Sequence, residues 1–148
     1  MALAAFDIDA DDKDEPLFAP LHVPASATGE PLRSRLFVLD HDGQQFNVTQ
    51  SVDLGNGADF PFYGASVIAV AELTSDVAGP EVIVTTLNGE LLVLPSGNLG
   101  APLYRAILEG ALGAHGSIRV RNLVGGAGSP PEVHIGGSLG IRRFDVSP

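Results

Sequence analysis

Asp7, Asp9 and Asp11 alternate near the start of the chain, and Lys13 and Glu15 continue the same odd-numbered spacing. That spacing suits a hard divalent cation. Ca²⁺ takes about six to eight oxygen ligands, and alternate acids in a tight loop turn several carboxylates inward. In this reading Asp7, Asp9 and Asp11 fill the first, third and fifth ligand positions, the Lys13 carbonyl the seventh and Glu15 the ninth. The ion would be structural, cancelling repulsion between carboxylates and pinning the loop. The competing reading is a solvated acidic turn. Two later stretches are poorer versions. Glu72, Thr74 and Asp76 keep some oxygens but Glu81 arrives one residue late, and Asn122 is followed by Val124 and Gly126, so neither is expected to hold calcium.

Other motifs reduce to turns. Gly136-Gly137-Ser138-Leu139-Gly140 has the G-x-S-x-G form of a nucleophile elbow, which needs a helix after it and a downstream His. A strand-like run, Ile141 to Val146, follows instead, and no His lies beyond it. His41-Asp42 precedes Gly43, where Asp-Gly makes a turn, and no second His/Asp cluster exists. His22, His41, His115 and His134 are scattered, and the glycines at 125–128 lack the Lys-Ser/Thr of a phosphate loop. Asn47-Val48-Thr49 has the form of a glycosylation sequon. No catalytic residue is assigned. Arg119 and Arg121 share one strand face by period two. With Arg142 and Arg143 they form a basic group that either pairs with acids of a neighbouring sheet or docks an acidic partner or glycan.

The elements that must position these residues are short strands. Val67–Ala71, Val82–Thr86 and Glu90–Leu94 are apolar or β-branched runs, the last two joined by Asn88-Gly89, a strong hairpin signal. Ser117–Arg121, Glu132–Ile135 and Ile141–Val146 repeat the order about 50 residues later, with Pro80-Glu81-Val82 matching Pro131-Glu132-Val133. An earlier copy reads as Ala5–Asp9, Glu15–Phe18, Leu36–Leu39 and Phe46–Thr49, with 20–31 as a loop insertion. Leu103 to Leu108 fits a helical face or a strand, and its place in the repeat favours strand.

Composition agrees. At 148 residues and 15.3 kDa the chain has the length of one domain, and 45% hydrophobic residues with a mean hydropathy of +0.22 allow a sizeable core. Gly and Pro, 18 and 11, punctuate many turns. A net charge of −10 opposes a phosphate backbone, so nucleic acid is not an expected partner. Zero Cys excludes disulfides and thiolate sites. No apolar run reaches the roughly 18 residues of a membrane span, and residues 1–5 do not read as a secretory leader.

Phe6 to Glu15 is similar to the acidic loop of FG-GAP/VCBS-type β-propeller repeats, in which strand, Asp-x-Asp-x-Asp-Gly-x-x-Asp/Glu and strand follow one another. Asp12 stands where that pattern has glycine. Ala71–Asp76 leading into Pro80–Val84 resembles a weakened copy, and Arg121-Asn122-Leu123 leading into Pro131-Glu132-Val133 a degenerate one. Asn88-Gly89-Glu90-Leu91 also resembles the quinoprotein-like propeller repeat. The resemblance implies an all-β fold, a partial β-propeller of about three consecutive four-stranded antiparallel blades, the last incomplete. One propeller segment spans 1–148, with blades near 1–60, 61–112 and 113–148. It implies a non-catalytic interaction or structural module, calcium-stabilised, extracytoplasmic, and completed by other protein chains or remaining blades. The alternatives are the propeller portion of a secreted enzyme, such as a polysaccharide lyase or hydrolase, and a quinoprotein-like scaffold subunit without cofactor.

Overall fold

The computed structural model describes residues 2–9, 11–19, 33–56, 65–75, 78–86, 89–108, 116–121, 131–137 and 140–145. All its regular elements are strands, and they form three antiparallel sheets. Sheet 1 holds β1 (Ala2–Phe6), β2 (Glu15–Ala19), β3 (Arg33–His41) and β4 (Phe46–Asn56) in that order. Sheet 2 holds β5 (Ala65–Ala71), β6 (Glu81–Thr86), β7 (Glu90–Pro95) and β8 (Tyr104–Ile107). Sheet 3 holds β9 (Ser117–Arg121), β10 (Glu132–Gly137) and β11 (Gly140–Asp145). Each sheet is a meander in which consecutive strands pair.

The expected strands are present with shifted ends. Leu103–Leu108 resolves as the strand β8, tied by the Leu103 amide to the Val93 carbonyl at 2.9 Å. Ala5–Asp9 is corrected: β1 runs from Ala2 and stops at Phe6, because Asp7 turns its carboxylate back onto amides of the loop instead of extending the strand. The insertion at 20–31 lies outside the described residues.

The three sheets stack face to face, with β1 against β5 and β5 against β9. One core cluster joins Leu17, Leu36 and Val38 of sheet 1 to Val82, Val84, Leu92 and Leu94 of sheet 2. A second joins Ile83, Leu91 and Val93 of sheet 2 to Ile118, Val133 and Ile135 of sheet 3. Because side chains alternate across a strand, β6 sends Val82 and Val84 to one neighbour and Ile83 to the other. Every residue of β6 is buried. That two-sided burial is why β6 and β7 read as continuous apolar runs without alternation.

A candidate acidic loop and a repeated glutamate clamp

The connection from β1 to β2 is organised by its own side chains. Asp7 Oδ1 accepts the Asp11 amide and Oδ2 the Asp12 amide, both at 3.1 Å. Asp11 Oδ1 accepts the Lys13 amide at 3.0 Å, and its Oδ2 pairs with Lys13 Nζ. Asp12 takes φ 65°, the left-handed turn for which the repeat pattern uses glycine and which Asp tolerates better than most residues.

The structure divides the five sequence-predicted ligands. Asp7, Asp9 and Glu15 converge, with carboxylate oxygens within 4.8 Å of one another. Calcium–oxygen distances of about 2.3–2.6 Å place ligand oxygens up to about 5 Å apart, so this trio fits one ion. Asp11 instead faces the Lys13 ammonium, which holds its carboxyl below the usual carboxylate range. Lys13 itself is raised by Asp11 first, with Asp40 and Asp9 adding to it. The lysine thus brings a side-chain positive charge into the loop, in addition to the carbonyl that the sequence offered.

Glu15 does more than ligation would require. It is buried, and its Oε2 accepts the Ile8 amide at 2.7 Å. The second loop repeats this: Glu81, fully buried, accepts the Leu73 amide on Oε2 at 2.7 Å. Both glutamates open the second strand of their sheet and sit opposite the last residue of the first strand, Phe6 or Ala71. The bonded amide lies two residues beyond, on an apolar residue whose side chain is buried. This clamp closes the loop without any ion. Burial pushes both carboxyls upward in pKa, against the pull of the clamped amide. Neighbouring Asp9, Asp11 and Asp7 add to the rise at Glu15, and Glu72 at Glu81.

Sequence reasoning counted Glu15 as a ligand and Glu81 as a late one, and missed the clamp. The signal was available in the shared position of Glu15-Pro16, Glu81-Val82 and Glu132-Val133 after each loop. In sheet 3 the equivalent Glu132 sits opposite Arg121, is buried, and faces His134 Nε2 at 3.0 Å and Arg143 Nη1 at 3.6 Å.

Asp42 and His41 are committed to a turn, and His22 and His115 lie outside the described residues. A cleft of about 470 Å³ is lined by Lys13, Asp40, His41, Asp42 and Gly43. Asp42 accepts the amides of Gln44 and Gln45 at 2.9 Å and the Asn47 side chain at 2.9 Å, which together lower its pKa. His41 Nδ1 accepts the Gly43 amide at 3.1 Å, and Gly43 takes φ 95°. Gly137 pairs with Gly140, so the G-x-S-x-G segment joins two strands of one hairpin. Arg119 and Arg121 do share a face, opposite His134 and Glu132.

Comparison of the chain with family models, curated proteins and solved structures gives no match. Among the described residues no helix is long and apolar enough to cross a membrane.

Proposed function

We propose that this chain is a non-catalytic structural or interaction segment of a β-propeller resembling the FG-GAP/VCBS type, completed by further sheets of a larger protein or complex. Calcium at Asp7, Asp9 and Glu15 pins its first loop, and an extracytoplasmic setting, where calcium is plentiful, suits that loop. The observation that carries the reading is the stack itself. Three meander sheets of similar size pack face to face with their first strands side by side, and each of the first two carries the same glutamate clamp. Such a stack buries apolar faces only where a neighbouring sheet exists.

Native mass spectrometry of the protein from its own cells, intact and then denatured, tests the proposal. A native assembly much larger than the denatured 15.3 kDa chain is expected, or a denatured chain much heavier than 15.3 kDa that carries the remaining sheets. A species of 15.3 kDa in both conditions would overturn it.

A further inference from the structure

Aligning the three sheets on Glu15, Glu81 and Glu132 makes their strand positions equivalent through the observed registers. Leu3, Phe18 and Phe37 lie in one row of sheet 1. The matching row is Ile68, Val84 and Leu92 in sheet 2 and Ile118, Ile135 and Arg142 in sheet 3. In sheets 2 and 3 the aliphatic members of this row pack against the sheet before them: Ile68, Val84, Leu92, Ile118 and Ile135 are all buried, at 8% exposure or less, while Arg142 at the sheet 3 edge is exposed. In sheet 1 Leu3 is 62% exposed and Phe18 and Phe37 are half-buried, stacked on each other with ring centroids 6.1 Å apart.

We propose that the Leu3–Phe18–Phe37 face of sheet 1 is a docking surface for one further antiparallel β-sheet, carried by a partner protein and presenting a Leu/Ile/Val face. The inference rests on the propeller reading and gives it a direction. The face is continuous in kind with two interfaces already in the molecule. The side chains that meet such a face within this chain are known: Leu17, Leu36 and Val38 of sheet 1, and Ile83, Leu91 and Val93 of sheet 2. The partner therefore supplies aliphatic residues at those positions. A second copy of this chain does not supply them from its last sheet, where the same positions are His134, Ile141 and Arg143, with Arg119 in place of Ala4 and Ala69. Sheet 3 ends the apolar stack, as polar outer faces end other stacked repeats.

Hydroxyl-radical footprinting with mass spectrometry compares the assembly from its own source with the isolated chain. Several-fold lower labelling of Leu3, Phe18 and Phe37 in the assembly is expected, with cross-links from that face to a chain of different sequence. Leu3→Asp, at an exposed position, is expected to release the partner while leaving the melting temperature of the isolated chain unchanged. An assembly in which Phe18 and Phe37 label as strongly as in the isolated chain would overturn both this inference and the propeller reading. Protection of Phe18 and Phe37 with cross-links only to further sheets of the same, longer polypeptide would overturn this inference while leaving the propeller reading intact. Protection in a species containing only copies of this chain would overturn it too. Should Leu3→Asp lower the melting temperature, the footprint of the unmodified protein still decides.

Discussion

Asp7 and Asp9 belong to the same acidic cluster but have different duties. Asp7 caps two loop amides, so Asp7→Ala removes about 0.5–2 kcal/mol of capping with or without metal, as at other capped turns. Asp9 accepts no hydrogen bond among the described residues and acts through its charge alone, on Lys13 and on the cluster. Asp9→Asn is thus the cleaner probe. With calcium a hundredfold above its dissociation constant, linkage adds about 2.7 kcal/mol, so the melting temperature should rise by several degrees on calcium addition. Asp9→Asn should abolish that rise while keeping the calcium-free value. Equal melting curves in calcium and EGTA for the unmodified protein would reduce the loop to a turn. The glutamates respond to protons. Glu15 and Glu81 have raised pKa values in the folded protein, so each favours folding below the usual glutamate range, and that contribution is lost as pH climbs through the raised value. Asp11 and Asp42, both lowered, work the other way and lose their contribution only as pH falls below the usual aspartate range. Stability should therefore peak in mild acid. Glu81→Gln keeps an oxygen for the Leu73 amide and removes the charge, so urea midpoints between pH 5 and 8 should vary less than in the unmodified protein. Glu81→Ala instead strands a buried amide, at about 1–3 kcal/mol. An unchanged pH profile in Glu81→Gln would show that another group sets it.

Individual strands differ in how openly the sequence declares them, and the difference follows burial. β6 and β7 are covered on both faces and appear as uninterrupted apolar runs bounded by Gly and Pro. β9 alternates because its Arg119 and Arg121 face outward. β1 hides its register: Ala2-Leu3-Ala4-Ala5 carries little contrast between faces, so its start depends on tertiary pairing of Ala2 with Ala19. β4 is longer than its apolar content implies, running to Asn56 across a register shift that leaves Phe46 and Val48 exposed at 60% and 58%. The acidic loop was visible as spacing, but the separation of Asp11 from Asp7, Asp9 and Glu15 was not. It depends on where a flexible lysine side chain settles, which spacing does not encode. Two-sided burial also ranks the strands energetically. Leu91→Ala, between sheets 2 and 3, should destabilise by about 2–5 kcal/mol, the range for buried leucines. Leu3→Ala should change the isolated chain by no more than about 0.5 kcal/mol. Denaturant unfolding of the two variants measures the contrast, and equal losses would mean that Leu3 is covered in the isolated chain as well.

Over the whole molecule the two ends of the stack differ in kind, and association through either end would carry a different signature. The face of sheet 1 is apolar. The opposite face, on sheet 3, presents Arg119, Arg121 and Arg143 around the buried Glu132, in a segment (113–148) holding four of the chain's eight basic residues and two of its 18 acids. On the proposed propeller reading, a sheet stacked there would offer carboxylates to these arginines, unlike the aliphatic faces between the sheets of this chain. Salt separates the two ends. Contacts through the Arg face depend on charge, and screening shortens from about 10 Å at 0.1 M to about 3 Å at 1 M. Contacts through Leu3, Phe18 and Phe37 depend on apolar burial, which screening leaves in place and sulfate strengthens. Sedimentation of the native assembly across sodium chloride and then sodium sulfate should therefore show loss of whatever binds sheet 3 while the sheet 1 contact persists. Arg119→Glu with Arg121→Glu should reproduce the high-salt state at low salt, and Leu3→Asp should produce the complementary loss. An assembly that stays whole in 1 M salt and in the double arginine variant would mean that no acidic sheet closes against sheet 3, and that the stack ends there.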